Sequence, residues 1–125
     1  MTPSILGGLA VAGALGAGAR FALDGWVGTR SRGLFPWATI VINVSGSLLL
    51  GVITGAALYH ALPASPRIWL GTGFCGAYTT FSTFTFETVG LVDGDQRRMA
   101  LGYAAASLVL GTAAAALGLA LAALV

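Results

Sequence analysis

The sequence predicts an all-α membrane protein whose single domain is built from four transmembrane helices. Two observations lead to this fold class. Apolar residues make up 57% of the 125 residues and charged residues only 8%, whereas a soluble domain carries about 25% charged residues. The mean hydropathy is +0.90, and four apolar segments are long enough to cross about 30 Å of hydrocarbon. We therefore expect residues 1–125 to form one domain in a lipid bilayer.

Short polar connections separate the four predicted spans. The spans cover roughly residues 5–27, 37–58, 68–89 and 99–125. The connections contain residues that favour turns, such as the Asp-Gly pair at 93–94. Pro63 and Pro66 place the second connection at residues 59–67, because helices avoid proline in their interiors. Tryptophan and tyrosine rings near the span ends suit the headgroup region of the bilayer.

Charge and cysteine content exclude several function classes. The six arginines, with no lysine, are scattered among the span ends and do not form the clustered basic face of a nucleic-acid-binding protein. Cys75 is the only cysteine, so it forms neither an intrachain disulfide nor a cysteine metal site, and we interpret it as a small packing residue. His60 has no second histidine beside it, so we expect it to be solvated in a connection. No nucleophile, base and orienting group are evident, so we do not expect an enzyme.

The third span carries the strongest signal of irregular structure. Three glycines precede a run of hydroxyl residues: Gly71, Gly73 and Gly76, then Thr79, Thr80, Ser82, Thr83 and Thr85. Glycine costs about 1 kcal/mol in a helix interior relative to alanine, and hydroxyl side chains compete for backbone hydrogen bonds. We therefore predict that the third helix is broken in mid-membrane near residues 76–80. A break survives there only where protein or a cavity surrounds it, and its exposed carbonyl oxygens suit a hard cation such as sodium.

Several positions have two interpretations from the residues alone. Phe81 and Phe84 share a helix face at three-residue spacing, which is typical of packing but also suits a pore wall. Asn43 is an uncharged polar residue in mid-span that either bridges helices or lines a pore. Arg20 either pairs with Asp24 or extends to the interface, or it lines a vestibule that attracts anions.

A longer pattern favours the pore interpretation. Residues 73–84 read GFCGAYTTFSTF, which is Gly-Phe-x-Gly followed two residues later by Thr-Thr-Phe-Ser-Thr-Phe. The second span contains Asn43, the first contains Arg20 within GARF, and the fourth contains Tyr103 and Ser107 on one helix face. Together these segments resemble the Fluc (CrcB) family of dual-topology fluoride channels. The resemblance extends from about residue 16 to residue 118 and includes all four spans.

The resemblance implies a channel that exports fluoride down its electrochemical gradient across the cell membrane and relieves fluoride toxicity. It implies two four-helix subunits inserted antiparallel to each other, with two pores lined by phenylalanines of both subunits. The implied pore residues are Asn43, Thr80, Phe81, Ser82, Thr83, Phe84, Tyr103 and Ser107, with Arg20 in a vestibule. A structural sodium ion is implied at the dimer centre, held by the backbone carbonyls of Gly76 and Thr79 from both broken third helices.

These residue types are suited to the implied chemistry. Fluoride is small and strongly hydrated, so a pore must replace its water with hydrogen-bond donors, which amides and hydroxyls supply. An aromatic ring has a positive edge, so Phe81 and Phe84 presented edge-on would attract an anion weakly. Weak binding at several sites is what conduction requires. No acidic residue lies within residues 73–84, and Glu87 follows with no role that the sequence assigns.

Two other function classes remain as alternatives. A proton-coupled exporter of the small-multidrug-resistance type is also short and dimeric, but it needs a carboxylate embedded in the membrane, and Asp24 lies near the end of the first span. A non-transporting assembly subunit would use its small-residue faces for packing. It would leave Asn43 and the hydroxyl run unexplained.

The connections leave the assembly open. The first and third connections hold four arginines and the second holds one, so arginine counting places the first and third in the cytoplasm. Dual topology requires little such bias. We therefore expect an antiparallel homodimer but keep a heterodimer with an oppositely biased paralogue as the alternative.

Overall fold

The computed structural model describes residues 2–125, and all regular structure within that range is helical, which confirms the predicted all-α class. The elements in chain order are α1 (Pro3–Arg30), α2 (Trp37–Tyr59), α3 (Ala64–Arg67), a π-helix π1 (Ile68–Cys75), α4 (Gly76–Tyr78), α5 (Ser82–Asp93) and α6 (Arg97–Leu124). Helices α1, α2 and α6 are each long and apolar enough to cross a membrane. The elements from α3 to α5 make up the fourth helical stretch.

The second connection is shorter than its prolines predicted. Only residues 60–63 lie between α2 and α3, and Pro66 belongs to the first turn of α3. The expectation that proline excludes helix was wrong at Pro66, because the first turn of a helix has N–H groups without intrahelical partners and tolerates proline. His60 lies in this connection, and its Nε2 is 2.7 Å from the carbonyl oxygen of Ala122 near the end of α6.

The third stretch leaves helical geometry once. The chain is helical from Ala64 through Tyr78, and Thr79 then adopts an extended conformation with φ −75° and ψ 160°. Residues 79–81 are non-helical, and α5 begins at Ser82. Gly76 is itself helical, so the irregular residues begin three positions after the last glycine of the motif.

Helices α2 and α6 form the most extensive helix pair in the protein. Glycines bring their backbones together. A Cβ added to Gly51 would overlap the carbonyl oxygen of Ala115, and one added to Gly118 would overlap the carbonyl oxygen of Leu48. Small residues allow helices in lipid to approach closely enough for van der Waals packing, so this seam holds the second and fourth spans as one unit.

Helix α1 covers the other side of the third stretch. Gly16 of α1 lies against the carbonyl of Phe74, and the indole Nε1 of Trp69 donates to the carbonyl oxygen of Ile5 at 3.2 Å. Many large apolar side chains point outward, including Phe21 at 84% exposure and Leu124 at 82%. Such a surface is unfavourable in water and favourable in lipid.

Candidate functional site

Asn43 of α2 holds the backbone of the non-helical segment. Its Nδ2 donates to the carbonyl oxygen of Thr80 at 2.9 Å, and its Oδ1 accepts from the Thr80 N–H at 2.8 Å. The reversed amide would place donor against donor, so the orientation is fixed by the pairing. The Asn43 oxygen and one amide hydrogen are therefore hydrogen-bonded to Thr80, and the second amide hydrogen is left for an ion or water.

The two carbonyl groups expected to bind a cation have lost their helical partners. In a continuous helix the Thr80 N–H would donate to Gly76 and the Thr83 N–H to Thr79. The Thr80 N–H instead donates to Asn43, and the Thr83 N–H donates to the Thr80 Oγ1 at 3.1 Å. The carbonyl oxygens of Gly76 and Thr79 are thereby available to another partner.

Hydroxyl groups cluster around the start of α5. The Thr80 hydroxyl donates to the Thr83 Oγ1 at 3.0 Å and lies 3.3 Å from the Ser82 Oγ. The Thr79 hydroxyl donates to the Cys75 carbonyl at 2.8 Å and does not join the cluster. The hydroxyls of the predicted residues Thr80, Ser82 and Thr83 therefore form one cluster, in which Thr80 contacts both of the others.

A cavity of about 520 Å³ lies beside the segment and brings five of the predicted pore residues together. We call it the Asn43 cavity. All of its lining residues are uncharged: Asn43, Gly46, Ser47, Leu50, Thr79, Thr80, Phe81, Phe84, Ala104, Ser107, Leu108 and Gly111. Phe81 is 77% exposed, and its ring centroid lies 5.9 Å from that of Phe84. The cavity thus combines donors with aromatic rings on a face that one chain leaves open.

A second cavity of about 420 Å³, the Arg20 cavity, also has Thr80 in its wall. Arg20, Asp24, Thr39 and Thr83 line it together with Thr80. Thr39 is 1% exposed, and its Oγ1 has no hydrogen-bond partner within the described part of the chain. Thr80 lines both cavities, so the two cavities share one wall residue.

Tyr103 does not line the Asn43 cavity, but it packs against Phe84, which does. Its ring is fully buried, 5.2 Å from the ring of Phe84 and 5.8 Å from that of Phe35. Its hydroxyl donates to the Glu87 carboxylate at 2.6 Å. Glu87 and Asp24 both line a third cavity of about 430 Å³ near the connection between α1 and α2. Glu87 therefore has a definite partner that the sequence did not supply.

Sequence reasoning missed a second contact between α2 and the third stretch. The hydroxyl of Tyr78 lies 2.8 Å from the Ser45 Oγ, although the two residues are 33 positions apart. The aromatic ring of Tyr78 and the common hydroxyl of Ser45 gave no signal of this pairing. Its only sequence correlate is that Ser45 follows Asn43 closely and Tyr78 precedes Thr79 directly.

Comparison with known proteins assigns the chain to a family. Residues 8–119 match the family model described as CrcB-like protein, Camphor Resistance (CrcB). The chain belongs to the CrcB family. The resemblance seen in the sequence motifs is thereby confirmed, and the CrcB match includes all of the residues that line the three cavities.

Curated relatives align over most of the CrcB chain. A protein of Leifsonia xyli named fluoride-specific ion channel FluC 1 is 48% identical over 119 residues, which are 95% of this chain and 87% of the relative. Fluoride-specific ion channel FluC 2 of Moorella thermoacetica is 46% identical over 85% of this chain and 86% of the relative. A Bacillus subtilis protein of the same name is 48% identical over 86% of this chain and 79% of the relative.

The family and the helices together identify the setting of the site. Three helices of the CrcB chain are long and apolar enough to cross a membrane, and the relatives are named as ion channels. The chain is a multi-pass membrane protein, as its hydropathy predicted.

Proposed function

We propose that the protein is a fluoride-selective channel that lets fluoride leave the cell down its electrochemical gradient. The observation that carries the proposal is the Asn43 cavity, which is lined by uncharged donors and two phenylalanines. It lies in a chain of a family whose relatives are named fluoride-specific ion channels. A cavity without charges suits rapid transit, because an ion that binds tightly leaves slowly.

The lining groups would replace the water of the ion in steps. The free amide hydrogen of Asn43 and the hydroxyl of Ser107 are donors on the cavity wall. The rings of Phe81 and Phe84 have positive edges that attract an anion weakly. In the Arg20 cavity, which Thr80 and Thr83 also line, Arg20 would draw anions toward the hydroxyl cluster. Fluoride would then meet donors in both cavities.

We propose further that two copies assemble antiparallel, with the non-helical segment at membrane depth. Phe81 is 77% exposed in one chain, and nothing lies within 4 Å of a Cβ built on Gly76. A second copy would cover both and would complete the open Asn43 cavity with its own phenylalanines. Non-helical backbone is tolerated in a membrane only when protein or a cavity surrounds it, and a second copy supplies that protein.

A sodium ion between the two copies is the cofactor we propose. Gly76 and Thr79 fit it because the N–H groups that would occupy their carbonyl oxygens donate elsewhere. Carbonyl oxygens are suitable ligands for a hard cation, whereas magnesium sheds its water reluctantly and favours carboxylates. The residues described contain no cluster of three or more His, Cys, Asp or Glu, so backbone oxygens are the ligands to test. The ion would supply positive charge beside the anion path.

Expression in a bacterium that lacks its own fluoride export tests the function. Cells that make the protein should grow in fluoride at concentrations that stop control cells, and collapsing the proton gradient should leave fluoride loss intact. A proton-coupled exporter would instead stop when the gradient is removed. No protection at verified expression in the membrane would contradict the proposal.

Cysteine labelling tests the antiparallel arrangement. Thr2→Cys is introduced in a Cys75→Ser background, and intact vesicles are treated with an impermeant thiol reagent. A dual-topology homodimer should show half of the labels on each side. Labelling from one side alone would indicate a fixed topology and an oppositely oriented partner chain.

A further inference from the structure

The Tyr78 side chain ties the residue before Thr79 to helix α2. Its hydroxyl lies 2.8 Å from the Ser45 Oγ, and its ring is stacked on Phe74 with centroids 5.7 Å apart and planes 17° apart. Ser45 donates its own proton to the backbone, with the Val41 carbonyl oxygen at 2.6 Å. Because Ser45 has a single proton, the Tyr78 hydroxyl is the donor of the bond between them.

The same helix holds the residue that follows Thr79. Asn43 pairs with both backbone groups of Thr80, and Asn43 is two positions before Ser45 on α2. Thr79 is thus the one residue between two anchors on α2. The peptide that carries the Thr79 carbonyl joins Thr79 to Thr80, so its orientation depends on where both ends are held.

Gly46 of α2 leaves the space that the Thr79 side chain occupies. A Cβ at Gly46 would overlap the Thr79 Cγ2 and would lie 3.1 Å from the Tyr78 Cδ1. Helix α2 therefore presents three nearby positions to the segment: an amide at Asn43, a hydroxyl at Ser45 and an open space at Gly46. Each meets a different part of the chain around Thr79.

We propose that Ser45, Gly46 and Tyr78 are positioning residues that aim the Thr79 carbonyl at the cation and so set its affinity. The inference rests on the sodium site of the proposed function and goes beyond it by assigning these three residues, none of which would touch the ion. Tyr78 and Ser45 do not provide the ligand oxygens. They limit the range of directions that the Thr79 oxygen samples, and a cation held by few carbonyls is sensitive to their aim.

Removing one hydroxyl tests this role. In purified full-length Tyr78→Phe protein in liposomes, sodium is titrated against an impermeant organic cation while fluoride efflux and thermal stability are recorded. The sodium midpoint should rise about fivefold, the change that loss of one net hydrogen bond produces. Efflux at saturating sodium should return close to the wild-type rate, because Tyr78 does not line the Asn43 cavity.

Companion variants separate positioning from general packing. Ser45→Ala should shift the midpoint as Tyr78→Phe does, and the double variant should add little, because both changes remove the same bond between Tyr78 and Ser45. Ser45→Thr keeps a hydroxyl and should therefore show the wild-type sodium midpoint. Thr54→Ala is the matched control: Thr54 lies on the same helix and its hydroxyl donates to the Leu50 carbonyl oxygen at 2.7 Å. It should leave the midpoint unchanged.

The outcomes distinguish this inference from the function beneath it. If the wild-type protein needs sodium but Tyr78→Phe and Ser45→Ala titrate like it, the positioning role is wrong and the sodium site stands. If the variants lose efflux equally at every sodium concentration, Tyr78 and Ser45 are only structural and the inference is wrong. If wild-type efflux and stability ignore sodium, the sodium site and the inference both fail while fluoride conduction stands.

Discussion

Helix α2 makes two contacts of opposite character. Toward α6 it packs backbone against backbone, with Gly51 on Ala115 and Gly118 on Leu48. Toward the third stretch it makes two directed hydrogen bonds, in which the Asn43 amide donates to the Thr80 carbonyl oxygen and accepts from the Thr80 N–H. The first contact depends at these glycines on steric fit, because an added Cβ would overlap a backbone carbonyl oxygen. The second holds irregular backbone in place and leaves neighbouring oxygens and rings free, so one helix serves as scaffold on one face and as site on the other.

The largest effect is expected at the scaffold contact. Gly118→Ala would place a methyl group on the Leu48 carbonyl oxygen and 2.8 Å from the Val52 nitrogen. Neither atom can move without moving α2, and overpacking of this kind costs about 1–3 kcal/mol or more. We expect little monodisperse protein in mild detergent and a lowered unfolding temperature in what remains.

Gly7→Ala is the control for that substitution, since among residues 2–125 no atom outside its own helical turn lies within 4 Å of a Cβ at Gly7 and alanine favours helix. It should be purified as well as the wild type. A Gly118→Ala protein as stable as Gly7→Ala would show that the close approach of α2 and α6 is not required.

Asn43→Ala should be next in size and should affect transport more than folding. It leaves the N–H and C=O of Thr80 without this partner in a part-buried position, where partial access to water keeps the cost below that of a fully buried unsatisfied group, which is about 1–3 kcal/mol. We expect the dimer to survive in reduced amount and fluoride efflux to be lost. The measurement is efflux per assembled dimer, with Thr54→Ala as the control on the same helix. Efflux near the wild-type rate would separate Asn43 from the ion path.

Phe81→Ile and Phe84→Ile keep the apolar character of the cavity wall and remove the positive ring edges. If the rings attract the ion, fluoride efflux should fall by about tenfold or more, which corresponds to about 1.4 kcal/mol of barrier. Phe86→Ile is the matched control, because Phe86 is 81% exposed and does not line the Asn43 cavity. Equal efflux in all three variants would assign both rings to packing.

The smallest effect is expected for Arg20→Gln, which removes the positive charge from the Arg20 cavity. Fluoride efflux should fall about threefold at low ionic strength, because the charge acts by raising the local anion concentration. The difference should shrink at about 0.1 M salt, where the Debye length is about 10 Å. Arg97→Gln, at the exposed start of α6, should show no such dependence. A salt-independent loss would indicate a structural role for Arg20.

Hydropathy predicted most of the fold because an apolar segment in lipid must satisfy its own backbone hydrogen bonds, which favours a helix. The first, second and fourth spans are continuous helices whose ends lie within three residues of the predicted ones. The third stretch was harder. Helix propensity placed irregular backbone near residues 76–80, whereas Gly76 is helical and the irregular residues are 79–81, so the prediction includes Thr79 and Thr80 but begins too early. Their position depends on Asn43, which lies 37 residues earlier, and no local propensity contains that information.

The candidate site divides in the same way. Motif resemblance selected Asn43, Phe81, Phe84 and Ser107, and the structure places all four on one cavity. Motif resemblance could not predict the hydrogen-bond and packing partners of these residues. Asn43 was predicted to donate to the ion, whereas its amide oxygen and one of its amide hydrogens are bonded to Thr80. Tyr103, by contrast, is fully buried behind Phe84. Partners of this kind depend on how the helices pack, which a single sequence does not specify.

Fluoride efflux from liposomes that contain the purified wild-type protein alone tests the central claim most directly. The vesicles are loaded with fluoride or with chloride, and a potassium ionophore removes the opposing voltage at the start. The account predicts rapid fluoride release with chloride retained, from a single chain type and without a proton gradient. Equal release of both ions, or no fluoride release from verified dimers, would contradict it.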